Sequence, residues 1–221
     1  MNNLISLESV SKFYRCGRET VHALDGVSLN IDAGDFIAIC GPSGSGKTTL
    51  LNIAGCMDHP TRGVVRIRGE AVEHGGESQL ARIRQSTLGF VFQQFFLIPT
   101  LTVEENVELP LIFSHRPVRR DYTAELLDRV GLGHRRRHLP SQLSGGEMQR
   151  VAVARSLINE PPVILADEPT GNLDSRNSTA VMSLFETLNR QGIAVVLVTH
   201  NPDLAARCQK VVHLEDGKVV A

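Results

Sequence analysis

Two kinds of hydrophobic pattern alternate along the chain. Uninterrupted apolar runs at residues 36–40, 163–166 and 194–198 are typical of buried parallel strands. Segments in which apolar and polar residues alternate predict half-buried strands instead; they are 4–10, 27–31 and 64–68. We expect these alternating strands to be antiparallel and to surround the parallel strand at 36–40.

A helical pattern dominates between residue 102 and about residue 159. It predicts helices at 103–110, 121–130 and 147–159, which we interpret as a helical subdomain inserted into an α/β core. The rest of the chain predicts three further helices, a strand and a terminal hairpin; these are 48–54, 79–84 and 178–190, then 88–92, then 211–214 with 218–220 around Asp216-Gly217.

Length, net charge and cysteine content exclude several classes of protein. A chain of 221 residues accommodates one large domain, and its formal net charge of −1 provides no field for nucleic acid or an anionic membrane. The four cysteines are far apart and lack metal-ligand spacing, which favours a reducing cytosol. No apolar stretch approaches the ~20 residues that span a bilayer. We therefore expect no nucleic-acid partner and no direct membrane insertion, so that any membrane role requires a second, spanning chain.

A glycine-rich segment follows the apolar run at 36–40 and precedes a helical pattern. Its sequence is Gly41-Pro42-Ser43-Gly44-Ser45-Gly46-Lys47-Thr48. Strand, glycine-rich turn and helix in this order form a P-loop, whose bare backbone N–H groups surround a polyphosphate. Lys47 is expected to reach the β- and γ-phosphates, and the Thr48 hydroxyl to bind the Mg²⁺ that bridges them.

Carboxylates and a histidine follow the other two apolar runs. Asp167-Glu168 comes directly after 163–166, and His200 comes after 194–198. Ligands bind at the carboxyl ends of parallel strands, so we expect these groups to meet beside the P-loop. Asp167 is the candidate for holding Mg²⁺ through its water shell, and Glu168 is the candidate base for the attacking water.

Two further segments admit more than one interpretation. Gln93 follows the strand 88–92, where its amide would touch Mg²⁺ or the water; an exposed loop glutamine is the alternative. Ser144-Gly145-Gly146-Glu147 has the spacing of a capping box. Its two glycines also bare the N–H groups of a helix N-terminus, which makes an anion site for a phosphate presented by another copy of the protein. The basic cluster at 134–138 is interpreted as a solvated loop.

Taken together, these motifs resemble the ATP-binding subunit of ATP-binding cassette (ABC) transporters over essentially the whole chain. The order is Walker A at 41–48, the Q-loop at Gln93, the signature at 143–147, Walker B at 163–168, the D-loop at Gly171-Asn172-Leu173-Asp174 and the H-loop at His200. Several stretches, such as Ala166-Asp167-Glu168-Pro169-Thr170, are similar to the lipoprotein-releasing (LolD-like) and macrolide-export (MacB-like) subgroup. The signature ends in Glu147, where glutamine is common in the family.

The resemblance implies a fold and a set of site residues. The fold is one ABC ATPase domain over 1–221, with an α/β P-loop core and antiparallel β subdomain at 1–92 and 161–221 and the helical subdomain at 93–160. The implied ATP contacts are Tyr14 (stacked on adenine), residues 41–48, Thr49, Gln93, Asp174, Ser144, Gly145, Gly146 and Glu147. The implied Mg²⁺ contacts are Thr48, Gln93 and Asp167, and the implied catalytic residues are Glu168, His200, Gln93 and Lys47.

The resemblance also implies partners. Two copies would join head to tail around two ATP molecules, and their closure would drive membrane-spanning permease subunits from the cytoplasmic face of the inner membrane. An ABC ATPase that is not coupled to transport, such as a cell-division-type or other regulatory complex, is the alternative. A chromosome-type ABC protein would need a long coiled coil between Walker A and the signature, and residues 49–142 lack sustained heptads.

Overall fold

A computed structural model describes residues 3–17, 19–72, 76–114 and 116–220. The strands within them are β1 (Asn3–Cys16), β2 (Glu19–Asp32), β3 (Phe36–Cys40), β4 (Arg62–Ile67), β5 (Glu70–Ala71), β6 (Leu88–Phe92), β7 (Val163–Asp167), β8 (Ala194–Val198), β9 (Lys210–Glu215) and β10 (Lys218–Val220). The α-helices are α1 (Lys47–Ala54), α2 (Glu77–Thr87), α3 (Val103–Phe113), α4 (Arg120–Arg129), α5 (Gly145–Leu157), α6 (Ser175–Arg190) and α7 (Pro202–Ala205).

The main sheet has six strands in the order β10-β9-β3-β8-β7-β6. The five strands from β9 to β6 run parallel, and β10 closes the edge antiparallel to β9. Every residue of β3 and β8 is buried, because both faces of the sheet are covered by apolar side chains. This explains why these strands appear in the sequence as unbroken apolar runs. The predicted α/β class is confirmed.

The second sheet is antiparallel, with the order β2-β1-β4-β5. The expectation that its strands surround β3 is wrong, since the neighbours of β3 in its own sheet are β8 and β9. β1 and β2 are also much longer than predicted, at 14 residues each. Register shifts occur at several points of their pairing, including between Val10 and Lys12 and between Lys12 and Phe13. Each shift breaks the two-residue alternation on which the prediction depended.

The segment between β6 and β7 carries α3, α4 and α5, together with 3₁₀ turns at Gly133–Arg135 and Pro140–Gln142. Its apolar side chains join those of α6 and one face of the main sheet in a single hydrophobic cluster. Helix α3 begins with a capping box formed by Thr102 and Glu105. Fully buried Asn106 bonds the backbone of the preceding loop at Ile98, Leu101 and Thr102. The boundaries 93 and 160 of a separate subdomain stay a prediction.

Across the described ranges, no helix is both long enough and apolar enough to cross a membrane.

Candidate nucleotide-binding site

The candidate functional residues lie at the carboxyl ends of three neighbouring strands, at one edge of the main sheet. Ile39 of β3 and Asp167 of β7 both pair with Val198 of β8. The glycine-rich turn, the Asp167-Glu168 pair and His200 therefore leave the sheet at the same level. The positions of these groups at the ends of the three apolar runs predicted this arrangement.

The glycine-rich turn depends on glycine at two points of close backbone approach. Gly41 and Gly46 have φ angles of 156° and 102°. A Cβ atom at Gly41 would lie 2.0 Å from the Leu214 carbonyl oxygen, and one at Gly46 would lie 2.2 Å from the Ala23 carbonyl oxygen. Helix α1 begins directly after Gly46 without a side-chain cap. The N–H groups of its first turn therefore remain available to an anionic ligand.

Lys47 is folded back into the turn. Its Nζ atom donates to the carbonyl oxygens of Gly41 at 2.9 Å and Pro42 at 2.7 Å, and the residue is 9% exposed. An ammonium group held by two neutral carbonyls has no negatively charged partner in these contacts. A phosphate oxygen entering the turn would offer it a stronger, charge-assisted bond.

The Thr48 hydroxyl and Asp167 face each other. Thr48 Oγ1 donates to Asp167 Oδ1 at 3.4 Å. Burial is the main cause that raises the pKa of Asp167 above its ordinary value, and the neighbouring Glu168 charge adds to it. A hydroxyl and a carboxylate at this spacing are hard oxygen ligands of the kind that Mg²⁺ takes beside a phosphate. The residues therefore fit a magnesium ion.

Glu168 is fixed by contacts on both sides. Its backbone lies in the left-handed region at φ 46°, an uncommon conformation for a residue with a side chain. Its N–H donates to the Val198 carbonyl at 3.0 Å, which links the ends of β7 and β8. Its Oε1 lies 2.8 Å from His200 Nδ1. The strained backbone and the imidazole together hold the Glu168 carboxylate at the edge of the sheet beside the P-loop.

These groups border a cleft of about 690 Å³. Its walls are Val21, His22, Ala23, Gly41, Pro42, Ser43, Gly44, Gly46, Lys47, Thr48, Thr49, Glu168, Val198 and His200. Ten of these fourteen were predicted as site residues. The four that were not are Val198, which ends β8, and Val21, His22 and Ala23, which lie on β2. The sequence predicted a strand at 27–31 but none at 21–23, and it contains no signal there for the cleft. Ser45, in contrast, is 3% exposed and does not border the cleft.

The predicted adenine contact, Tyr14, is held at the margin of this site. Its hydroxyl donates to Asp58 Oδ2 at 2.7 Å, and the Lys12 ammonium lies 4.9 Å from its ring centroid. Burial raises the pKa of the Tyr14 hydroxyl, and the bond to Asp58 raises it further. Tyr14 is not among the residues that border the cleft. Stacking on adenine stays a prediction.

Gln93 contacts the D-loop segment 171–174 rather than Thr48 or Asp167. Its Nε2 donates to Asn172 Oδ1 at 3.3 Å, and Asn172 Nδ2 donates back to the Gln93 carbonyl at 3.0 Å. A Cβ atom at Gly171 would lie 2.7 Å from Gln93 Nε2. The predicted contact of Gln93 with Mg²⁺ would require its side chain to leave Asn172. It stays a prediction.

The signature segment forms the N-terminus of α5, away from the walls of the P-loop cleft. Ser144 Oγ accepts from the Glu147 N–H at 3.3 Å, and Glu147 Oε2 accepts from the Ser144 N–H at 2.8 Å, so the predicted capping box is present. Gly146 is buried against Asn177, whereas Gly145 has only ordinary contacts. Asp174 caps α6 by accepting from the Asn177 N–H and Nδ2, each at 2.8 Å. The nucleotide contacts of these residues stay predictions.

The fold and the site define a P-loop nucleotide-binding protein. The family model for ABC transporters matches residues 24–171. The chain belongs to this family, and it is an ATPase subunit of the ABC transporter type, as the sequence predicted.

Relatives cover the chain almost completely. It is 46% identical over 219 residues to the ABC transporter ATP-binding protein YknY of Bacillus subtilis (strain 168), covering 98% of this chain and 95% of that protein. It is 47% identical over 220 residues to the macrolide export ATP-binding/permease protein MacB of Hyphomonas neptunium. That match covers 99% of this chain but only 34% of the MacB protein.

Solved structures support the same family. The dimeric structure of MJ0796, a bacterial ABC transporter cassette, superposes with a TM-score of 0.91 at 47% identity, covering 98% of this chain and 97% of that chain. A dimeric post-hydrolysis state of the same cassette, bound to ADP and Pi, superposes with a TM-score of 0.90. The resemblance to the MacB-like and LolD-like subgroup is consistent with these relatives.

Proposed function

We propose that two copies of this chain close around two MgATP molecules and that hydrolysis reopens them, driving a membrane permease. The observation that carries the proposal is a divided anion site. One set of uncapped backbone N–H groups follows Gly46 in the P-loop cleft. A second set lies at the N-terminus of α5, where Gly145 has no side chain to cover it, and this set is away from that cleft. A triphosphate bound by the first set retains free oxygens that the second set, from another copy, would bind.

Each residue of the cleft has a defined task in this scheme. The backbone of the turn encloses the phosphates, and Lys47 exchanges its two carbonyl partners for phosphate oxygens. Thr48 and Asp167 would hold Mg²⁺, which when bound neutralises charge on the phosphates. Val21 and His22 form the wall of the cleft that β2 contributes.

Glu168 is the proposed general base. Its carboxylate takes a proton from the water that attacks the γ-phosphorus, and the bond from phosphorus to the ADP oxygen breaks. His200, whose Nδ1 lies 2.8 Å from Glu168 Oε1, orients that carboxylate. Burial raises the pKa of Asp167 and so favours its protonated form in the nucleotide-free protein.

The permease is proposed to dock on an apolar groove of about 570 Å³ next to Gln93. We call this surface the apolar groove; its larger apolar residues are Met57, Leu88, Phe90, Phe92, Phe96, Leu109, Pro110 and Phe113. Phe96 and Phe113 are 60% and 64% exposed, which is uncommon for side chains of this size. Internal packing explains the neighbouring Leu97, which packs against the hydrophobic cluster of the helical segment, but it does not explain the exposed Phe96.

The same groove is linked to the signature helix. Arg155 of α5 donates from Nη2 to the Phe95 carbonyl at 2.8 Å and from Nη1 to the Phe96 carbonyl. Burial lowers the pKa of this guanidinium, and no carboxylate pairs with it among the described ion pairs. A movement of α5 on dimer closure would therefore shift the rim of the apolar groove. This link supports coupling between ATP and a membrane partner.

The partner and location follow from this proposal. Two relatives are named ATP-binding/permease proteins, and we propose that a permease supplies the membrane-spanning part for this ATPase as well. The ATPase then lies at the cytoplasmic face of the inner membrane. A regulatory complex without transport would use the same surfaces.

Turnover measurements test the proposed chemistry. Glu168→Gln should keep ATP binding but lower single-turnover hydrolysis by about 100-fold or more, since general bases contribute about 10²–10⁴-fold. Wild-type hydrolysis in this variant would remove Glu168 from the role of base.

Co-purification tests the proposed partner. Tagged protein should retain a membrane-spanning chain in detergent extracts, and Phe113→Asp should lose it. Val219→Asp is the matched control, because Val219 is also exposed, at 43%, but lies on β10 outside the apolar groove. Equal retention by both variants would contradict docking at the apolar groove.

A further inference from the structure

We infer that Arg135 is a positioning residue of the signature site, where its guanidinium offsets the charge of Glu147 and so permits a second copy's triphosphate to approach Ser144. The inference rests on the proposed dimer and specifies how this chain admits an anion next to its own carboxylate. It also assigns a function to Arg135 of the basic cluster 134–138, which the sequence alone indicated to be a solvated loop.

Glu147 places a negatively charged carboxylate at the N-terminus of α5, where the phosphate is proposed to bind. Glu147 Oε2 accepts from the Ser144 N–H at 2.8 Å and from the Ser144 hydroxyl at 2.9 Å. These bonds stabilise the helix end and lower the pKa of Glu147, with the backbone bond as the largest cause. The same carboxylate repels any phosphate that approaches Ser144 and Gly145. A negative side chain therefore favours the free helix and opposes the ligand.

Arg135 occupies the other oxygen of that carboxylate. Its Nε donates to Glu147 Oε1 at 3.1 Å, and its Nη1 lies 3.1 Å from His138 Nε2. A guanidinium only donates, so the imidazole nitrogen accepts in this contact. The backbone of the same turn is closed by the Arg135 N–H to the Leu132 carbonyl and the His138 N–H to the Arg135 carbonyl, each at 2.8 Å. The guanidinium is thus anchored beside Glu147.

The ion pair between Arg135 and Glu147 is partly buried, so it affects the electrostatic potential at the N-terminus of α5. The side chains of Arg135 and Glu147 are 34% and 16% exposed, so solvent screens the pair less than a fully exposed one. The next arginine, Arg136, pairs instead with Glu104 of α3 at 2.9 Å. Arg135 is therefore the member of the basic cluster that acts on the signature motif, and Arg136 provides a matched control.

The experiment measures ATP-driven dimerisation of the full chain by light scattering. All variants carry Glu168→Gln as a hydrolysis-dead reference. Arg135→Gln should raise the ATP concentration for half-maximal dimerisation about tenfold, as expected for one uncompensated charge in a partly screened site. Arg135→Lys should restore most of the loss, and Arg136→Gln should change the midpoint less than twofold.

A second background separates charge compensation from simple support of the fold. With Glu147→Gln, removal of the Arg135 charge should cost less than twofold, because no carboxylate remains to be offset. The Arg135→Gln defect should also shrink at 0.5 M salt on the order expected for screening. A merely structural role would give the same loss in both backgrounds and no salt dependence, which would overturn the inference. A reference protein that stays monomeric would overturn the proposed dimer as well, so the two failures are distinguishable.

Discussion

The two signature glycines should respond in opposite ways to the same substitution. A Cβ atom at Gly146 would lie 2.1 Å from Asn177 Oδ1 and 2.3 Å from its Cγ. A Cβ atom at Gly145 would meet nothing closer than Leu173 Cδ2 at 3.6 Å. Gly146 is therefore required by packing within the chain. Gly145 has no such requirement, so we expect its task to lie in ligand binding.

The magnitudes follow from these contacts. Gly146→Ala gains up to about 1 kcal/mol of helix propensity, but it overpacks the site at a cost of about 1–3 kcal/mol. It also displaces the Asn177 amide from Asp174 Oδ2, a 2.8 Å bond of a kind that contributes about 1 kcal/mol. We expect a net loss of about 1–3 kcal/mol of unfolding free energy. In a domain of this size, that lowers the melting temperature by about 2–12 °C.

Gly145→Ala supplies the matched control. It should leave the unfolding free energy of the nucleotide-free protein unchanged or raise it by up to about 1 kcal/mol. It should nevertheless weaken ATP-driven dimerisation, because its methyl group covers the helix end that receives the phosphate. Urea unfolding followed by circular dichroism measures the first effect, and light scattering with ATP measures the second.

Two outcomes would show that packing does not require glycine at position 146. One is a Gly146→Ala protein as stable as the wild type. The other is full additivity of Gly146→Ala with Asn177→Ala, since a clash between two side chains requires the double variant to lose less than the sum.

Two further predictions concern the P-loop cleft. Lys47→Ala should weaken ATP binding by about 100-fold, because it removes charge-assisted bonds of about 1.5–3 kcal/mol each; unchanged affinity in a calorimetric titration would contradict the assignment of Lys47. Asp167→Asn should abolish magnesium-dependent turnover yet stabilise the nucleotide-free fold by about 1 kcal/mol. The raised pKa of Asp167 means that its ionised form opposes folding, so wild-type stability should fall as pH rises through that pKa. Melting curves of Asp167→Asn should lack this pH-dependent fall in stability. An identical pH dependence in both proteins would show that ionised Asp167 does not oppose folding.

The sequence predicted the chemistry of the cleft well because its signals are local. Glycines, Lys47 and Thr48 lie within one short segment, and Asp167 and His200 each follow an unbroken apolar run. The parallel sheet then brings those runs side by side. No long-range information beyond strand adjacency was needed.

What the sequence did not predict depends on contacts between distant residues. His22 lies on the part of β2 that precedes the predicted strand 27–31, where β2 pairs with β1 through several register shifts, and it borders the cleft. Arg135 acts through Glu147, 12 residues away. Gly146 lies in a capping box, yet the reason for its small size is Asn177 on another helix. Such tertiary contacts leave no periodic trace in the sequence.

The central claim is that one copy's P-loop and another copy's signature share a single ATP. The most direct test is light scattering of the Glu168→Gln protein with and without MgATP, beside the same protein carrying Gly145→Ala. We expect twice the monomer mass with MgATP and the monomer mass without it, and the Gly145→Ala variant should need more MgATP to reach the doubled mass. A Glu168→Gln protein that binds ATP and keeps the monomer mass at all concentrations, even with its membrane partner present, would show that two copies do not share the nucleotide.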